Sequence, residues 1–418
     1  MSKETNFFLA KVDQQNGPAH FQALVGFTSS MSHLLPDTNS FSTCDWQSLK
    51  ELAQFHRVEA LVNLEQTLVP ENIAMHFTLQ RRNVAMKTLE MAYVSLEISG
   101  ALRAANIPSL LLKGRAVSSR FYEYPERRQS IDCDLFIEPS HVRAAHHSVK
   151  QLGFEEVFPN VTCPDHCHDV LLSLTNSRTY VRRKDGAQLD LHWKLYRASS
   201  LLSWHPGDLI AEAEELNIGD QTVLVLPPEK QFIYLCTHGA KHGWFRLKWL
   251  ADIEHMLPFL SDADCRKIRT DAEGLGVWHM MAASLLTLEA VYGCKINVGF
   301  DLAKSDRKDR CLANVMQERV ACSWAQNTSV RFRDVPTAIR AFLYALNLKA
   351  SAKYKTEALF LRLADPRDIP TLRLSKKWLP LYAILGPFLH FTRIAAPEIK
   401  EHLNRRAEKS KNGSCDLL

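Results

Sequence analysis

The chain has 418 residues, 46% hydrophobic and 23% charged, with 51 basic against 46 acidic side chains and a net charge of +5. This is the profile of a soluble globular protein large enough for two or three domains, and so mild a positive balance does not by itself indicate nucleic acid. No stretch reaches the ~18 apolar residues a spanning helix needs, so no membrane-spanning helix is expected. The ten cysteines are scattered, several in apolar runs, and the opening Met-Ser-Lys-Glu-Thr-Asn has no secretory pattern. A reducing, cytoplasmic setting is expected.

Residues 1–45 read as a loosely ordered segment. From 46 to 106 the apolar residues of "WQSLKELAQFHRVEALVNLEQTL" and "LQRRNVAMKTLEMAYVSLEISGALRAAN" recur every three or four positions, which predicts helices. Asn106-Ile107-Pro108 ends them, since proline cannot continue a helix. The texture changes over 107–226. "IPSLLLKG" is a short apolar strand ending at Lys113-Gly114, "RAVSSRFY" a helix, "EYPERRQS" a polar loop and "IDCDLFIE" a second strand. Pro139-Ser140 opens the helix "HVRAAHHSVKQLGF", with Ser140 as N-cap and Gly153 near its end. "SRTYVRR" and "AQLDLHWKL" flank Lys184-Asp185-Gly186, a hairpin signal. Residues 227–400 return to helical spacing, and 401–418 form a tail. Within this part, "WLPLYAILGPFLHF" (Trp378 to Phe391) is too short to span a membrane; a buried helix is favoured over an interfacial one.

The second strand poses a problem. Asp132 and Asp134 lie two apart, so they share one face, while Ile131, Cys133 and Leu135 take the other. Two carboxylates that close repel, and something positive should sit between them: a divalent metal, or more blandly Arg127 or Arg128. In "AQLDLHW" Gln188, Asp190 and His192 share a face opposite Leu189, Leu191 and Trp193. If this strand pairs beside the first, Asp190 joins the acid pair. Three carboxylates on adjacent strands suit two Mg²⁺ ions, with Mn²⁺ an alternative, and a substrate phosphate. Gly114 at a strand-to-helix turn lets backbone approach a ligand closely. Lys113, Arg115, Arg128 and Ser130 surround that turn and the acids as candidate phosphate-binding residues. His238, Lys241 and His242 share one helix face and extend that list, while Lys248 and Asp252 share another. His192 fits either a packed polar residue or a base beside the acids. "CPDHCHD" (Cys163 to Asp169) holds zinc-type ligands, but their spacing is cramped for one tetrahedral site, and it reads as a loop leading into "VLLSL".

The combination of "LLLKG" (110–114), "RRQSIDCDLFI" (127–137) and "LDLHW" (189–193), followed by "LCTHGAKHGWFRLKWLADI" (235–253), resembles a family of bacterial nucleotidyltransferases within the DNA polymerase β-like superfamily. The resemblance implies an α+β fold, a small polymerase β-like sheet module flanked by N-terminal and C-terminal helical regions. It implies metal-dependent transfer of a nucleotidyl group from an NTP, ATP being the default donor, with pyrophosphate released. Asp132 and Asp134 match the metal-binding pair, Asp190 the third acid that activates the acceptor, and Gly114 the glycine of the phosphate turn. Arg115 stands where the superfamily carries a small residue, and the 18 positions from Gly114 to Asp132 exceed the spacing of many members. A small molecule or a peptide or protein side chain is the expected acceptor, ahead of nucleic acid, because no long basic run is present. The competing reading is a catalytically silent nucleotide-binding regulatory protein of the same fold. A kinase ranks lower, since no Walker-type loop occurs.

Overall fold

The computed structural model describes residues 17–29, 42–63, 69–161, 164–296, 298–322 and 335–393. Three helices come first: α1 (Gly17–Thr28), α2 (Thr43–His56) and the long α3 (Glu71–Ala104). Ser42 starts α2 with a reciprocal capping box to Asp45. The mixed α+β region follows as β1 (Leu110–Leu111), α4 (Arg115–Phe121), β2 (Cys133–Phe136), α5 (Val142–Gln151), β3 (Phe154–Phe158), α6 (His168–Leu174), β4 (Ser177–Arg182), β5 (Ala187–His192), α7 (Pro206–Ala211), β6 (Glu214–Ile218) and β7 (Gln221–Val225). Helices α8 (Pro228–Lys241), α9 (Leu247–Met256), α10 (Asp262–Gly274), α11 (Trp278–Tyr292), α12 (Arg307–Cys322), α13 (Val335–Asn347), α14 (Ala352–Leu363) and α15 (Ile369–Leu372) follow among the described residues, with a further helix over 379–393.

The seven strands form one mixed sheet in the order β3-β4-β5-β2-β1-β7-β6. β2 runs parallel to β5 and antiparallel to β1, which runs parallel to β7. The predicted hairpin is present: β4 and β5 pair antiparallel, and Gly186 takes φ +70° in the turn. One sheet face is closed by α3 and α5, where Ile98, Leu102, Ala145 and Val149 pack against Leu135, Leu189, Leu191 and Trp193. Each isoleucine, leucine or valine of this set contributes about 1.5–3 kcal/mol on burial. A second cluster joins α1 and α2 to α8–α12.

Four expectations need correction. Residues 1–45 are not loose throughout, because α1 is a helix whose Phe21, Leu24, Val25 and Phe27 enter the core. The second strand is shorter than predicted, and Ile131, 40% exposed, lies before it rather than in its apolar face. Ser140 makes no cap; it sits inside a short 3-10 turn, Pro139–His141, that leads into α5. The helix over 379–393 is not buried: Phe388 and Phe391 are 70% and 71% exposed, and Tyr382 alone of its large side chains is fully enclosed. The edge hairpin β6–β7 is an addition that no predicted strand covers. No helix among the described residues is long and apolar enough to cross a membrane.

Candidate active site

Strand pairing brings the acids together. In the parallel β2–β5 register Asp134 stands directly opposite Asp190. The backbone N–H of Leu112 donates to the Asp134 carbonyl at 3.0 Å, so β1 delivers Lys113 and Gly114 beside that acid. Lys113 Nζ lies 2.9 Å from Asp134 Oδ1. His192 Nε2 lies 3.1 Å from the same oxygen. Burial opposes ionisation of Asp134, but the Lys113 ammonium and the His192 contact outweigh it and hold its pKa well below the usual carboxylate range. Burial likewise opposes the charge on Lys113, and Asp134 overrides it, so that pKa is raised. Asp190 goes the other way. Burial raises its pKa and the Asp134 charge adds to this, although the Thr179 hydroxyl donates to Asp190 Oδ1 at 2.6 Å. Two facing carboxylates are therefore pushed apart: one firmly ionised, one more basic.

Asp132 and Asp134 open onto a cavity of about 210 Å³, while Asp190 stands behind Asp134 and does not line it. Lys113, Gly114, Arg128, Ser130, Asp132, Asp134 and His238 all line it. Gly114 takes φ +62°, and a Cβ there would stand 2.7 Å from Ser130 Oγ, so only glycine lets the turn close on Ser130. Asp132 is half-buried at the cavity edge. Arg128 lines the wall, but its guanidinium is already bidentate with Asp252, at 2.6 and 2.7 Å. Of the two arginines offered as bland partners, Arg128 is thus engaged chiefly by Asp252, and the positive group in contact with Asp134 is Lys113. Arg115, Lys241 and His242 do not line the cavity. Arg115 Nε and Nη1 are buried without a hydrogen-bond partner. Lys241 is exposed, with its ammonium over the Tyr196 ring. His238 and His242 pack against Trp249 and each other. Burial, with the nearby Lys113 charge, drives the His238 pKa well below its ordinary value, and burial with Lys241 lowers His242 to about 3. These two histidines offer neutral ring surface rather than the basic face the sequence predicts.

Five lining residues stand outside the predicted site: Arg57, Leu235, Lys248, Trp249 and Asp252. Arg57 ends α2 in the left-handed conformation, and Lys248 and Trp249 begin α9. The shared helix face of Lys248 and Asp252 in "RLKWLADI" was the sequence signal for those two, and Arg57 had none. Lys248 is buried and donates to the Gln129 carbonyl at 3.1 Å. Burial, reinforced by Arg128, lowers its pKa to about 7.

A cation fits this donor set. Oxygens of Asp134 and Asp190 and a ring nitrogen of His192 lie within 4.8 Å of one another, and Asp132 lines the cavity beside them. A second such group, His279 with Asp306 and Asp309, is engaged in capping: Asp306 and Asp309 exchange backbone-to-carboxylate bonds at the start of α12. A larger cavity of about 780 Å³ lies among α5, α6 and α14, and no predicted site residue lines it. Cys163 falls outside the described residues, while Cys167 is buried and its thiol faces the Leu374 carbonyl. No curated protein matches the chain. A family model described as uncharacterised nucleotidyltransferase matches residues 42–293, more than half of the chain and all of the acid-lined cavity, and the protein belongs to that family.

Proposed function

We propose that the protein moves a nucleotidyl group, AMP from ATP as the default, onto a hydroxyl or similar acceptor of a small molecule, peptide or protein. The observation that supports this best is the Asp134–Asp190 pair, opposed in register beside the Lys113-Gly114 turn. Asp132, Asp134 and Asp190 would hold Mg²⁺, or Mn²⁺ in its place; the ions would neutralise triphosphate charge and make the acceptor oxygen easier to deprotonate. The Gly114 turn, with Ser130 beside it, leaves room for the phosphates to approach the backbone. Lys113 and Lys248 supply positive charge along the same wall. Leu235, His238 and Trp249 form an apolar and aromatic wall suited to a nucleobase.

In the proposed reaction, the more basic Asp190 carboxylate accepts the proton of the acceptor hydroxyl. The freed oxygen bonds to the α-phosphorus, the bond from that phosphorus to the β-bridging oxygen breaks, and pyrophosphate departs. The rate gain comes from positioning and charge stabilisation. The test is incubation with α-³²P-labelled ATP, GTP, CTP and UTP, divalent metal and pools of small-molecule and protein acceptors. Label should move to an acceptor with the wild type and not with the Asp132→Ala/Asp134→Ala variant. Nucleotide binding with no label transferred from any of the four would sink the transferase reading and favour a regulatory protein.

A further inference from the structure

His192 has no assigned role in that scheme, yet its geometry is that of a ligand. Residues two apart on a strand share a face, so β5 presents Asp190 and His192 together, and the β2–β5 register sets Asp134 opposite Asp190. His192 is buried, and its Nε2 lies 3.1 Å from Asp134 Oδ1. That spacing leaves no room for an intervening water. It is also about the 3 Å edge between neighbouring ligands of a six-coordinate ion with bonds of roughly 2.1 Å. Lys113 already sets a positive centre 2.9 Å from the same oxygen. The far nitrogen is held too: the Asn176 side-chain amide lies 3.4 Å from His192 Nδ1. Turned about its last bond, that amide accepts a proton from Nδ1, so that when an ion displaces the Nε2 proton shared with Asp134 the Nε2 lone pair is aimed at the ion. Metal-ligating histidines are characteristically fixed in this way through the second ring nitrogen.

We propose that His192 is a direct metal ligand through Nε2, beside Asp134 and Asp190, and that this nitrogen biases the site toward Mn²⁺ over Mg²⁺. The inference deepens the transferase reading and rests on it for the presence of a divalent ion. Its chemical basis is ligand hardness. Mg²⁺ prefers oxygen ligands and gives up water reluctantly, whereas imidazole suits transition metals. Asp132, at the cavity edge, remains available to an ion that arrives with the triphosphate.

The test is pulsed EPR of the full-length protein with Mn²⁺ alone. Bound Mn²⁺ should show ¹⁴N coupling that becomes a ¹⁵N pattern when histidines are isotopically labelled. His192→Gln should abolish the coupling and weaken Mn²⁺ binding about tenfold or more, with a smaller change for Mg²⁺. His279→Gln, which disables the second cluster, and His238→Gln, which removes the histidine lining the cavity, should each leave the coupling intact; those controls and the labelled wild type decide the matter even where His192→Gln fails to fold. Bound Mn²⁺ without nitrogen coupling, coupling lost with His279→Gln or His238→Gln, or no Mn²⁺ binding at all would overturn the proposal. The labelled-nucleotide assay separates the two claims. Transfer without nitrogen coupling removes only the His192 ligand, and nitrogen coupling without transfer removes the transferase reading while the metal site stands.

Discussion

Two lysines in one cavity are shifted in opposite directions, and the cause is which group each one touches. Lys113 contacts the ionised Asp134 and stays charged. Lys248 donates only to a backbone carbonyl, is buried beside Arg128, and titrates at about 7. It is cationic below that pH and neutral above it, so anion binding that uses it should weaken as pH rises from 6 to 9. A charge-assisted hydrogen bond contributes about 1.5–3 kcal/mol, so nucleotide affinity should fall roughly tenfold or more over that range. Lys248→Arg, charged throughout, should flatten the profile; parallel titrations of wild type and variant with a non-hydrolysable nucleotide would check this, and identical profiles would remove Lys248 from the phosphate site. At this scale the sequence was informative only where residues lie close along the chain. Asp190 and His192 share a face by strand alternation, whereas their meeting with Asp134 depends on the β2–β5 pairing. Arg57 and Lys248 meet in the cavity from segments nearly two hundred positions apart, a juxtaposition that no local pattern carries. His238 and His242 look basic in the sequence because burial, which keeps them neutral, is a property of the packed state.

Elements were legible by period, and their surroundings were not. Three- and four-residue spacing marks a helix around Trp378 to Phe391, yet says nothing of what covers it. Among the described residues, only one side is covered. Gly386 meets the backbone of Leu363 at the end of α14, and Tyr382 is enclosed, its hydroxyl bridging the N–H and C=O of Leu374 at 3.1 Å each. Tyr382→Ala should therefore cost about 3–5 kcal/mol, through the cavity and the two lost hydrogen bonds. Phe388→Ser and Phe391→Ser should each stay within about 0.5 kcal/mol in urea denaturation. A large loss from either phenylalanine would mean that this face is covered in solution. Short elements escaped for related reasons. β6 and β7 alternate too briefly to stand out beside the stronger β4–β5 signal. Helix α1 lies in a stretch whose Gly, Pro and Ser content favours a loop, and its apolar side chains are accounted for by the core they enter.

At the scale of the molecule, the cavity exists because the sheet region and the C-terminal helices are fastened together across it. Gln231 of α8 donates to the Leu112 carbonyl at 3.0 Å, and His56 Nδ1 of α2 accepts from the Leu247 N–H at 3.0 Å. The central fastening is Asp252 of α9, which accepts from Arg128 through both oxygens and from the Tyr122 hydroxyl at 2.8 Å. Arg128 is 3% exposed. Burial opposes its charge, and Asp252 more than offsets this. Removing one partner of such a pair leaves the other charge buried and uncompensated, whereas replacing both with apolar groups of similar volume is often neutral or better. Asp252→Ala should consequently lose about 3–5 kcal/mol in urea denaturation. The Arg128→Met/Asp252→Leu double variant should recover most of that loss, since the stranded guanidinium is gone and the space is refilled. Nucleotide binding by the double variant then isolates what Arg128 does beyond fastening: unchanged affinity would mean that it only joins the two regions, and weakened affinity in a stable protein would mean that the same guanidinium also serves the phosphates. A double variant no more stable than Asp252→Ala would refute the account of the pair itself.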